Sequence, residues 1–184
     1  IYVNTKQKIK QNMDRRKFIA TTALTTAGAG LAGFTDASKI YSSPSDSINI
    51  GLIGCRNMGY GDLQQHLANP GVNSVALCDV DENVLNEKAA DLQKKFNQKP
   101  KLYKDFRKLL EQKDIDAVII GTPDHWHCLM AVYALQAGKD VYVEKPMANS
   151  IAECNIIVKA SDYYGERVVQ VGQQQRSSFI FPKT

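Results

Sequence analysis

The chain has 184 residues, room for one domain of ordinary size and too few for two large ones. With 43% hydrophobic and 23% charged residues its composition is globular, which excludes a disordered, collagen-like or membrane-bundle chain. The net charge of +4 resides entirely in residues 1–46, leaving a neutral body with sixteen charges of each sign and excluding a basic nucleic-acid-binding face.

Residues 1–37 read as a leader. Arg15 and Arg16 stand together ahead of Phe18, and residues 18–34 then run seventeen positions without a charge. This is the order of a basic region followed by an apolar one. With four Thr, five Ala and three Gly the apolar stretch is weak, and it is short for crossing roughly 30 Å of hydrocarbon, so a cleaved signal is expected and a permanent span is not. The pattern resembles a twin-arginine signal, with Asp14 at the usual Ser or Thr position and Ala20 where Lys is common. Ala27 to Ala29 and Thr35 to Ala37 both fit a cleavage site, and an uncleaved tail is the competing reading. Residues 1–12 precede Met13 and are expected to be an artefact of where the reading frame was opened. Such a signal implies the export machinery as a partner, a periplasmic or otherwise exported destination, and a cofactor loaded before export. Cys55, Cys78, Cys128 and Cys154 show no CxxC spacing, so neither a zinc site nor a disulfide framework is expected.

After a polar linker at 38–47, short apolar runs alternate with amphipathic stretches. Strands are expected at 48–53, 72–78, 117–121, 140–143 and 168–171, with a weaker one near Leu102; each is nearly continuous in apolar residues, as for strands buried on both faces. A helix is expected through about Leu67. Another is expected at 82–96, where Leu85, Ala89, Leu92 and Phe96 make one face, and a short one after Asp105. One more runs from the 121–127 loop toward Ala137, and Ser150 with Glu153 forms a capping box for a helix to about Tyr164. The alternation predicts an α/β fold with a doubly wound parallel sheet, Rossmann-like, over 48–178.

The first turn carries the chemistry. Gly54 and Gly59 occupy the first and third glycine positions of GxGxxG, around Arg56, Asn57 and Met58. In a dinucleotide fold such glycines permit a tight turn, backbone approach to pyrophosphate and close helix packing, while the helix start attracts the anion. Arg56 replaces the second glycine: its Cβ either crowds the phosphates or its guanidinium contacts them. Asp79 ends the second strand where an acidic residue meets the ribose hydroxyls, favouring NAD over NADP; alternatively, Asp79 and Asp81 only start a turn or cap the next helix. Thr122, Pro123, Asp124, Trp126 and His127 follow the next strand at its carboxyl end. For these, helix capping by Asp124 and packing around a nicotinamide by Trp126 and His127 are expected. A metal held by His125 and His127 is not expected, since no third ligand is evident. His66 reads as structural.

The glycine turn, the segment TPDHWH at 122–127, EKP at 144–146 and VGQQQRS at 171–177 together resemble the Gfo/Idh/MocA family of nicotinamide-dependent oxidoreductases. The resemblance covers 48 to about 178. It implies NAD as cofactor, a sugar or polyol substrate, Lys145 as the catalytic proton-handling group, Glu144 holding that lysine or the nicotinamide side, and Trp126 and Gln173 toward the substrate. Physically, hydride departure from a carbinol carbon needs a proton path, and a partly desolvated Lys supplies one. The family also implies a second, substrate-binding domain, which is absent from this chain: residues 179–184 are expected to be only its truncated start, and the chain to be a cofactor half inactive alone. Homo-oligomerisation through that domain stays open. Two further readings compete with the oxidoreductase: a glycoside hydrolase of the same family that uses bound NAD, and a non-catalytic nucleotide-binding remnant.

Overall fold

The computed structural model describes residues 47–173; the leader, both its cleavage sites, most of the linker and residues 174–184 lie outside the described residues. In chain order the elements are β1 (Ile48–Ile53), α1 (Asn57–Leu67), β2 (Val72–Cys78), α2 (Glu82–Phe96), β3 (Lys101–Tyr103) and α3 (Phe106–Leu110). They continue with β4 (Ala117–Ile120), a 3₁₀ turn (Asp124–Trp126), α4 (His127–Gln136), β5 (Asp140–Val143), α5 (Ile151–Tyr163) and β6 (Val169–Val171). The strands form one sheet in the order β3-β2-β1-β4-β5-β6, and every neighbouring pair is parallel. This is the doubly wound α/β arrangement that the alternation of elements predicts.

The strands are apolar almost throughout because both faces are covered. Leu52, Leu77 and Ile119 point into a core with Tyr60 and Leu63 of α1 and Leu85 and Leu92 of α2. Their neighbours Ile53, Cys78 and Ile120 point the other way, into a core with Leu109, Ala131, Leu135 and Ile157 from α3, α4 and α5. Full burial of each such side chain contributes about 2 kcal/mol.

Helix ends follow their local chemistry. Asp81 caps α2 by accepting from Asn83 N at 2.9 Å, Lys94 and Lys95 sit in its last turn, and Asn97 ends it in the left-handed region at φ 56°. Ser150 Oγ accepts from Glu153 N at 3.3 Å, while the Glu153 carboxylate returns to Asn149 N at 3.1 Å, closing the capping box one residue early. Two expected boundaries move by a residue: β4 ends at Ile120 because Gly121 already leaves the ladder, and β6 begins at Val169. No helix among the described residues is long and apolar enough to cross a membrane.

Candidate cofactor-binding site

The strand order reverses between β1 and β4, so the loops after these two strands diverge and open a crevice at the carboxyl edge of the sheet. Register pairs Ile53 with Ile120, which sets Gly54 beside Gly121, and Gly121 N donates to Ile53 O at 2.8 Å. Three glycines interlock here. Gly54 sits at φ 87°, a conformation that side chains rarely adopt, and a Cβ on it would lie 2.7 Å from the Gly121 carbonyl carbon. A Cβ on Gly59 would stand 2.4 Å from Gly54 O, and one on Gly121 only 2.3 Å from the Gly59 Cα. Helix α1 therefore lies directly against the two loops. Gly121, at the start of the 121–127 loop, has a packing role that no sequence motif announces.

The start of α1 is prepared for an anion. No side chain caps it and no acidic residue occupies its first turn, in contrast to α2 with Glu82 and α5 with Glu153. Arg56 at the cap position has φ −92° and ψ 161°, ordinary extended backbone, so this position needs no glycine for its conformation. The left-handed residue is its neighbour Asn57, at φ 35°, a type that tolerates it. The Arg56 side chain leaves the turn and pairs with Asp81.

Asp79 ties the two ribose-side loops together. One carboxylate oxygen accepts from Cys55 N at 2.9 Å and the other from Asp81 N at 3.0 Å. Beneath it Cys55 Sγ donates to Cys78 O at 3.4 Å, and burial pushes the Cys78 thiol up to about 12 and that of Cys55 higher still, so both are inert packing groups.

A cleft of about 590 Å³ opens over these residues, lined by Gly54, Arg56, Asp79, Gly121, Thr122, Pro123 and Trp126. The size suits a cofactor. Val80, Lys104, Asp105, Phe106, Arg107 and Met130 complete the lining, and sequence reasoning did not assign them to it. Four of these follow the three-residue strand β3, and adjacency of β3 to β2 was the signal that could have found them.

Asp124 does not cap α4. A 3₁₀ turn intervenes, Pro123 occupies its cap position, and the Asp124 carboxylate stands 4.0 Å from His125 Nδ1. His127 is buried; its Nδ1 lies 2.7 Å from Pro146 O and its Nε2 2.8 Å from Thr122 O, which locks the loop after β4 to the loop after β5. Lys145 and Gln173 are exposed just beyond β5 and β6, and neither lines the cleft. Glu144 is 4% exposed and faces Asp62 of α1; burial and then the Glu144 carboxyl raise Asp62 to about 6. Asp62 Oδ2 is buried without a donor, which together with the neighbouring carboxyl favours the protonated form of Asp62. His66, one turn further along α1, meets Tyr142 edge-on at 5.1 Å.

What this crevice defines is a dinucleotide-binding domain: an uncapped helix start, a carboxylate at the end of β2, and backbone exposed where glycine excludes side chains. Residues 48–173 match the family GFO_IDH_MocA, described as an oxidoreductase family with an NAD-binding Rossmann fold, and the chain belongs to it. Its cofactor is NAD. Among curated proteins it is 30% identical over 171 residues to a "Glycosyl hydrolase family 109 protein" of Shewanella putrefaciens and 30% identical to an "Alpha-N-acetylgalactosaminidase" of Shewanella oneidensis. Each match covers 82% of this chain, which spans 37% of the length of those relatives. Among solved structures, the WlbA dehydrogenase from Bordetella pertussis in complex with NADH and UDP-GlcNAcA superimposes with a TM-score of 0.63 at 26% identity, over 72% of this chain and 39% of that one. The scyllo-inositol dehydrogenase from Lactobacillus casei with NAD(H) and scyllo-inositol gives 0.61 at 24% identity over 68% and 36%, a likeness of fold.

Proposed function

We propose that this chain is the cofactor half of an exported oxidoreductase that removes hydride from a CH–OH carbon of a sugar or polyol, completed by a second domain that supplies most of the substrate pocket. The observation that carries the reading is Lys145, solvent-facing immediately past β5 on the same carboxyl edge as Gly54, Gly121 and Trp126. NAD, when bound, supplies the hydride acceptor. The Lys145 cation orients the hydroxyl and helps its proton leave as hydride departs the same carbon, and its fixed place past β5 limits which hydroxyl it reaches. Asn57, Met58 and the start of α1 hold the pyrophosphate, Asp79 the ribose, and Thr122, Pro123, Asp124 and His127 form the wall toward the nicotinamide. Trp126 and Gln173 face the substrate side.

A glycoside hydrolase that oxidises and later re-reduces its substrate on the same NAD is the second reading, favoured by the names of the curated relatives. The two differ in net reaction. Incubating the protein, alone and joined to a substrate domain of the family, with NAD and a panel of polyols and aryl glycosides separates them: the first reading gives NADH in step with substrate, the second gives released aglycone with no net NADH. Export is tested by fractionating cells; replacing Arg15 and Arg16 with Lys should leave the protein in the cytoplasm, and unchanged export refutes a twin-arginine route.

A further inference from the structure

The adenosine end of the cleft holds three cations, and each is already paired. Arg56 is on Asp81, Lys104 Nζ donates to Glu82 at 2.7 Å, and Arg107 Nε donates to Asp105 at 2.8 Å. Arg56 differs from the other two in how it is tied to the ribose carboxylate. Asp79 accepts from Cys55 N on one side and from Asp81 N on the other, so Arg56 and its partner are the residues that directly follow the two amides Asp79 holds or donate one of them. The Asp81 carboxylate is fixed as well: Oδ1 caps α2 through Asn83 N and Val84 N, leaving Oδ2 for the guanidinium. The guanidinium thus sits at the ribose end of the turn, away from the α1 start where the pyrophosphate belongs. The alternatives open at the sequence level, obstruction or grip of pyrophosphate, give way to a third.

We propose that Asp81 is a second determinant of cofactor choice: by holding Arg56 it withholds a cation that stands beside the ribose carboxylate and could receive a 2′-phosphate, and so keeps the site selective for NAD. Asp79 repels the 2′-phosphate and Asp81 removes its counter-charge. Arginine is the side chain best shaped to grip a phosphate once released, with a planar fork of donors. The pair is exposed, with 62% and 35% of the two side chains open to solvent, so breaking it disturbs stability little and the effect falls on recognition.

The inference rests on the NAD-binding reading of the crevice, and the experiment separates the two. The sole tryptophan of the chain, Trp126, lines the cleft, so its fluorescence reports NAD and NADP titrations directly on the intact protein. Asp81→Asn keeps a cap-competent side chain and removes the charge, and Asp81→Ser serves as an independent neutral cap. Both should raise NADP affinity relative to NAD by about tenfold or more, the worth of one charge-assisted hydrogen bond. Adding Arg56→Gln to either should abolish that gain. If the unaltered protein binds neither nucleotide, the cofactor reading fails. If it binds NAD but both neutral caps leave the ratio unchanged, Asp81 has no part in selection. If the gain survives in the double variants, removal of negative charge alone explains it and the role of Arg56 is overturned.

Discussion

Before any ligand arrives, the Asp79 carboxylate already accepts two backbone amides, from Cys55 and Asp81, so it builds the turn besides its proposed contact with the ribose. Asp79→Ala should therefore do two things: weaken NAD at least tenfold while narrowing its advantage over NADP, and lower stability by about 2 kcal/mol as two amides lose a charged acceptor. Parallel nucleotide titration and urea denaturation check both; an unchanged NAD-to-NADP ratio removes Asp79 from recognition. Asp62 predicts a pH effect of the opposite kind to that of a salt-bridged acid. Burial and Glu144 raise it to about 6 in the folded state, above the ordinary 3.8 of a free Asp, so the folded state holds the extra proton between those values. Stability on this account is greatest below about 3.8, falls as pH rises through the window to about 6, and carries the full penalty above it. Asp62→Asn, which can donate to Glu144, should remove the penalty and stabilise the protein at pH 7 by about 1 kcal/mol, allowing for the solvent screening of a half-exposed group. Equal urea midpoints for both proteins across pH 4 to 8 refute a raised Asp62.

At the scale of elements, the junction of α1 with the loops after β1 and β4 has no slack. Gly59→Ala sets a methyl 2.4 Å from Gly54 O and Gly121→Ala sets one 2.3 Å from the Gly59 Cα, both against backbone that cannot rotate away. Each should cost about 1–3 kcal/mol by overpacking and lose NAD binding as α1 is pushed off its seat, measured as a fall in melting temperature and loss of Trp126 quenching. Gly61→Ala is the control, because nothing lies within 4 Å of a Cβ there; it should bind NAD normally. Much of this architecture was legible in the sequence. Apolar runs bounded by glycine gave β1 and β2 to the residue, Asp81 was open to reading as the cap of α2, and Ser150 announces α5, because these are local signals. The turn at Gly54 and Gly59 and the carboxylate at Asp79 were legible as local features that the structure brings to one crevice. It was not legible where distant segments meet: the partner of Arg56, the buried Glu144 against Asp62, and the β3 loop at Lys104 and Arg107 all depend on which strand lies beside which. Asp124 shows the converse, since a residue suited to capping stands in a 3₁₀ turn that Pro123 begins and so caps nothing.

At the scale of the molecule, the cleft and Lys145, the proposed proton-handling group, belong to different strands. The nucleotide cleft is built around β1, β2 and β4, whereas Lys145 stands past β5 and outside the cleft lining, linked to it by the His127 bridge between Thr122 O and Pro146 O. This separation predicts separable variants in the protein that carries this domain together with its substrate domain. Lys145→Ala should lower turnover by about 10² to 10⁴, the range for a positioned acid or base, while NAD affinity changes less than about threefold. His127→Ala should move both, because losing the bridge frees the loop that carries Thr122 and Pro123 as well as the one that carries Lys145. Turnover and Trp126 titration on the same preparations distinguish these patterns. Full turnover in Lys145→Ala removes it from the chemistry, and loss of NAD binding would make it a cofactor ligand. If, as proposed, a second domain completes the substrate pocket, neither variant nor the parent should show turnover as the 184-residue chain alone. Dehydrogenase activity in this chain alone would show that the carboxyl edge of this sheet suffices for catalysis, and the division of labour between two domains would have to be abandoned.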